Sequence, residues 1–320
     1  MKAAVLRSFG SPPRYEDFPE PVVTDGEVLI NVRAAALHPV VRALADGSHY
    51  GAVEDLPVVV GVDGAGRLDD GTRVFFGGVR PPYGTMAELA SAPRAICVPL
   101  PEGLDETTAA AALNPGLSGW LALTWRAHLQ PGDTVLVLGA TGVAGHLAVQ
   151  ACKLLGAGRV VAAGRNKAAL SRLSDIGAAA LVDLEGPFER VRDALTAEAS
   201  VAHFDVVIDY LWGEPTEALM AALERRGLTH TAPRTRLVQV GESAGATVRL
   251  KAAVLRSSGL EIYGSGAGTV PIGEVVAAVP AYMELLANHE IVVEADVMPL
   301  ADVERAWSLP RPGRRLVFKP

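Results

Sequence analysis

A chain of 320 residues is longer than a single hydrophobic core usually serves, so two domains are expected. Hydrophobic residues make up 49% of it and charged residues 20%, a globular balance that excludes a disordered chain. The formal net charge of -7 offers no basic footprint for nucleic acid, so an anionic ligand must be met by locally placed cations or backbone amides.

The opening MKAAVLRSFG has Arg7 interrupting its apolar run and lacks the flanks of a signal peptide. As far as about Leu100, short apolar runs such as EVLINVRAAAL, LPVVVGVDGAGRL and TRVFFGG are punctuated by Gly and Pro, which predicts a small irregular β domain with few helices. The uncharged stretch from Thr107 to Trp125 has the length of a membrane span, but Asn114, Pro115, Gly116 and Gly119 interrupt it, so it reads as two helices meeting at a turn. Only Cys97 and Cys152 are present, too few for a disulfide framework or a multi-cysteine zinc site, and a reducing cytoplasm fits.

From Pro131 onward strands alternate with amphipathic helices. TVLVL, RVVAA, ALVD, DVVID, RLVQV and LEIY are six strand candidates. Between the first two, Ala144, Leu147, Ala148, Ala151, Leu154 and Leu155 recur at helical spacing, with Gly156 placed to cap. Helices are also expected before Gly177 and before Gly227, which makes this part a doubly wound parallel α/β sheet. A last helix around Val275 to Leu286 leads to EADVMP and RRLVFKP, read as strands that rejoin the first domain.

Three glycines, Gly139, Gly142 and Gly145, stand in the turn from the first of these strands into its helix, around Ala140, Thr141, Val143 and Ala144. Such a turn lets backbone approach a pyrophosphate and points the free amides of the first helical turn at it. At the end of the second strand the chain reads Gly164-Arg165-Asn166-Lys167, with no acid to hold a ribose hydroxyl. Arg165, assisted by Lys167, suits a 2′-phosphate through charge-assisted hydrogen bonds, so NADPH is the expected cofactor; the alternative is an ordinary solvated arginine.

In order, MKAAVLRSFG, GVDGAGRL, YGTMAEL, GLSGWLAL and QPGDTVLVLGATGVAG resemble the medium-chain dehydrogenase/reductase superfamily in its zinc-free quinone oxidoreductase-like branch, over essentially the whole chain. The resemblance implies a GroES-like β-rich catalytic domain, residues 1–115 and 269–320, and a Rossmann domain, residues 116–268, with the cofactor lying between them. It also implies cofactor contacts at Ser118, at Val240, Gly241 and Glu242, and at Gly264, Ser265 and Gly266. Ser118 can equally bond its own helical backbone. The cysteine and the glycine-histidine-glutamate segment of zinc-dependent relatives are both missing, so no metal site is expected. The family's Asn-Pro-x-Asp segment reads His38-Pro39-Val40-Val41 here, which leaves the substrate class open.

A proton donor would assist hydride transfer, and His38 and Tyr50 are the candidates, Tyr50 preferred as a group that orients substrate. Against this, His38 can bond a loop carbonyl and Tyr50 can simply pack, while Asp63 is expected to accept bonds from backbone amides. The leading expectation is a cytoplasmic, homodimeric, NADPH-dependent reductase of quinones, enones or other small carbonyl compounds, with no nucleic-acid or membrane partner. Alternatives are an enoyl-thioester reductase, a zinc-free alcohol dehydrogenase, and an NADPH-binding structural or sensing protein without turnover.

Overall fold

The computed structural model describes residues 1–227, 231–310 and 313–320. The chain divides into two compact units, one of Met1–Pro115 with Val276–Pro320 and one of Gly116–Val275.

The second unit carries six parallel strands: Thr134–Leu138 (β1), Arg159–Gly164 (β2), Ala180–Asp183 (β3), Val206–Asp209 (β4), Thr235–Gln239 (β5) and Leu260–Gly264 (β6). Their order across the sheet is β3-β2-β1-β4-β5-β6, the Rossmann order, which bears out the six strands expected. Helices cover both faces, so the central strands are apolar throughout rather than alternating. In β1, Val135 and Val137 join one apolar cluster while Leu136 and Leu138 join the other. In β2, Val160 and Ala162 divide from Val161 and Ala163 in the same way. The covering helices are Val143–Leu154 (α1), Lys167–Ser171 (α2), Phe188–Val201 (α3), Gly213–Leu223 (α4) and Ala252–Ser257 (α5).

In the first unit, Glu27–Ala36 is the organising strand. Val28, Ile30 and Val32 alternate inward, and the strand pairs antiparallel with Asp63–Arg67, Leu89–Pro93 and Arg315–Lys319. Ala295–Pro299 lies parallel to Arg315–Lys319, so both late strands do rejoin the early sheet. A smaller sheet, Arg14–Asp17, Lys2–Leu6 and Val58–Val59, packs with the helix Pro39–Asp46 around Leu6, Val41, Val60 and Phe318.

The expected break between Thr107 and Trp125 is not there. Glu106–Leu121 is one α-helix with Pro115 inside it, and it continues into a π-helical turn, Ala122–Arg126. Proline removes one intrahelical bond and its ring crowds the carbonyl four residues back, yet the helix runs on through it, with Ala109 to Ala112 fully buried. Asp105 starts the helix by accepting from the amides of Thr107 and Thr108. No helix among the described residues is long and apolar enough to cross a membrane.

Candidate active site

The glycine turn has the geometry its sequence requires. Gly139 has φ +87°, in the left-handed region, and both its amide and that of Ala140 donate to the Ala163 carbonyl, tying β1 to β2. Gly142 then begins α1 with no side-chain cap, so the amides of Val143, Ala144 and Gly145 start the helix without intrahelical partners. A Cβ on Gly145 would stand 2.3 Å from the Gly139 carbonyl oxygen, so helix and strand approach as only glycine permits. This is the cradle a pyrophosphate needs. The amides of Gly139, Ala140 and Gly142 are taken by backbone carbonyls and shape the turn, leaving the helix tip to offer donors.

Thr141, in this turn, packs over Gly164 at the end of β2. Beyond it, the three polar residues have different roles. Arg165 is exposed and has no hydrogen-bond or ion-pair partner among the described residues. Asn166 caps α2, its Oδ1 accepting from the Ala169 amide at 3.1 Å. Lys167 lies 3.4 Å from Asp183 at the end of β3, a carboxylate that Arg190 also contacts at 2.9 Å. Arg165 is therefore the uncommitted cation of the three.

Sequence reasoning missed the residue that organises the loop after β4. Asp209 is fully buried, and its Oδ1 accepts from the amides of Leu211 and Trp212 at 2.8 and 3.0 Å. Its Oδ2 accepts from the Thr216 hydroxyl at 2.5 Å, and burial pushes its pKa up against these donors. Its backbone carbonyl takes the amides of Val240 and Gly241, so it also fixes the expected contact loop after β5. Glu242 is exposed beyond them. Trp212 has φ 53°, unusual for a bulky residue and enforced by this set of bonds. The buried hydroxyl of Tyr210 lies against Ser118 and the Cα of Gly119, and burial raises its pKa. An acid at the end of a wholly apolar strand, VVID, was the available signal for this loop. After β6, the Ser265 amide donates to Gln239, the Gly266 amide to Thr269, and nothing crowds Gly264.

In the other unit, His38 and Tyr50 are not brought together. Tyr50 is 80% exposed and stacks on His49 at 4.2 Å between ring centres. His38 is 1% exposed, and its Nε2 lies 3.1 Å from Asp63 Oδ1 rather than at a loop carbonyl. The other carboxylate oxygen of Asp63 accepts from Asn114 Nδ2 at 2.6 Å, so side chains, not the expected backbone amides, hold this acid. Burial pushes the His38 pKa below 6.5, and Arg315 adds to that push against the attraction of Asp63. With that pKa the buried imidazole is neutral near pH 7, and its Nε2 is committed to Asp63. Arg315 bonds the Leu37 carbonyl at 2.9 Å, and burial lowers its pKa to about 10.

Among the described residues no three His, Cys, Asp or Glu side chains gather as metal ligands. Cys152 is buried with its thiol pushed up to about 12, and Cys97 up to about 11, both by desolvation.

Residues 143–288 match the family profile described as zinc-binding dehydrogenase. A probable NADPH-dependent quinone reductase of Emericella nidulans is 27% identical over 362 aligned positions, covering 100% of both chains. A trans-enoyl reductase of Aspergillus terreus is 28% identical, covering 68% of this chain and 62% of that protein. Among solved structures, the quinone oxidoreductase of Thermus thermophilus, also crystallised with NADPH, superposes with a TM-score of 0.82 at 27% identity over the whole of both chains.

Proposed function

This chain belongs to the medium-chain dehydrogenase/reductase superfamily, in its quinone oxidoreductase-like branch, and from that membership we propose an NADPH-dependent oxidoreductase that reduces a quinone, enone or other small carbonyl compound by hydride transfer without zinc. The observation that carries this reading is the uncapped tip of α1, closed to any side chain at Gly145, with the uncommitted Arg165 at the end of the neighbouring strand. Val143, Ala144 and Gly145 would offer amides to the pyrophosphate, and Arg165 would meet the 2′-phosphate. The chemistry NADPH supplies when bound is a hydride from the nicotinamide ring. Asp209 holds the loop of Tyr210 to Trp212 and, through its carbonyl, the amides of Val240 and Gly241. The zinc-free reading is supported by the commitment of His38 and Asp63 to one another.

Reduction of the double bond in an α,β-unsaturated thioester is a second reading, favoured by the similarity to a trans-enoyl reductase. A homodimer formed along β6, the edge strand of its sheet, and a cytoplasmic location complete the proposal. The test is oxidation of NADPH, with NADH as control, against quinones, enals, enoyl thioesters and simple aldehydes in parallel. Turnover with a quinone or enone and preference for NADPH is the expected result. Binding of NADPH with no turnover on any acceptor would point instead to a sensing role, and no binding of either nucleotide would end the proposal.

A further inference from the structure

The first unit contains a cavity of about 230 Å³ let into its apolar core. Its walls include Val41 and Ala45 on the helix Pro39–Asp46, the run Val58 to Val62, and Val79 in the loop after Arg73–Gly77. No charged side chain lines it. The hydroxyl of Tyr83, the one side-chain hydrogen-bonding group in the wall, is used by the Glu20 carbonyl at 3.0 Å. The exposed residues Gly51, Gly78 and Pro81 mark its mouth.

Cores are normally packed without voids of this size, and an engineered apolar cavity of about 150 Å³ is already enough to hold benzene. The walls also adjoin the substrate segment in sequence. Val41 follows His38 by three residues and Val62 immediately precedes Asp63, the two residues joined at 3.1 Å. Tyr50 immediately precedes Gly51 of the mouth, exposed and stacked on His49.

We propose that this cavity receives the uncharged apolar body of the substrate, a chain or fused ring attached to the electrophilic group, and that it sets substrate preference by size and neutrality. The proposal rests on the reductase reading above and deepens it. The wall holds no cationic side chain to offset a carboxylate or phosphate, so a charge at the far end of the chain would be rejected. Each methylene that enters should improve binding about fourfold, until the cavity is full.

The experiment uses two series on the whole protein: 1-alken-3-ones of increasing chain length as substrates with NADPH, and the matching saturated 3-alkanones in calorimetric titrations that need no turnover. Both KM and Kd should fall with chain length and then level off, and a terminal carboxylate on a long member should abolish the gain. Ala45→Leu should move the levelling point to shorter chains with NADPH affinity unchanged, and Val79→Phe, at a half-buried wall position that tolerates bulk better, should do the same. Turnover with no dependence on chain length, or a levelling point unmoved in both folded variants, would overturn the cavity's role while leaving the reductase reading intact. Chain-length-dependent binding of the ketones with no turnover on any acceptor would do the reverse. Bicyclic and monocyclic quinones, compared in the same variants, show whether rings use the cavity as chains do; equal losses for both ring sizes would count against the size limit.

Discussion

Arg165 and Lys167 both looked available for a phosphate, yet only one is free. Lys167 shares Asp183 with Arg190, whereas Arg165 stands exposed with no partner among the described residues. Arg165→Ala should therefore weaken NADPH binding roughly 10- to 100-fold, the worth of a lost charge-assisted contact, and leave NADH within about threefold. Lys167→Ala should do much less, and titration of both nucleotides decides; equal losses for NADH and NADPH in the arginine variant would remove its role. His38 carries a different expectation. Because burial holds its pKa below 6.5 in the folded protein, the unfolded chain takes up a proton first as pH falls. Its contribution to stability is complete above pH 6.5 and declines as pH drops from there toward the folded pKa, with a slope of at most about 1.4 kcal/mol per pH unit. Denaturant unfolding at pH 7.5, 6.5 and 5.5 should show this decline reduced in His38→Asn; parallel curves would refute it. Sequence could place His38 in the substrate segment and read Asp63 as a structural acceptor, but not bring them to 3.1 Å from one another, because their contact joins the start of a helix to a strand 25 residues on.

Elements with strong periodicity were legible. The strand TVLVL, its glycine turn and the helix that follows were read at nearly their observed bounds, since a buried parallel strand and a helix tip each impose their own pattern. α3 was not singled out, because FERVRDALTAEASV buries only Val191 and Leu195 of its fourteen residues. The unbroken Glu106–Leu121 helix was missed since proline is a statistical breaker, and no residue near Pro115 marks it as an exception. Substitutions at two positions test the elements proposed to hold the nucleotide. Gly145→Ala drives a methyl into the Gly139 carbonyl and should cost about 1–3 kcal/mol while lowering NADPH affinity, read by melting temperature and titration. Asp209→Ala strands two amides and a hydroxyl and should cost about 2–4 kcal/mol. Asp209→Asn keeps the shape but turns a donor toward donors, so it should recover little; full recovery would mean that shape alone fixes the loop.

At the scale of the molecule, the division into an inserted parallel sheet and a β-rich unit built from two stretches of chain followed from the change of texture near Pro131 and from RRLVFKP. What composition could not reveal is how central that late strand is. Arg315–Lys319 is an interior strand, flanked by Ala295–Pro299 and Glu27–Ala36, and Leu316 and Phe318 lie in the same core as Leu6 and Val41. Removing residues 313–320 should expose residues 1–115 to proteolysis and amide exchange while the Gly116–Val275 unit stays protected; protection lost evenly across both would contradict their separate cores. The same arrangement fixes an order of events at the ribosome. The inserted unit has all its strands soon after residue 264 emerges, but the early sheet must wait for a partner made some 200 residues later, roughly 10–40 s at ordinary elongation rates. During that interval the nascent chain presents the Ala35–Ala36 end of Glu27–Ala36, where Val317 and Phe318 later pair, as an open edge, so chaperone demand and the damage done by premature termination should both concentrate on this unfinished half.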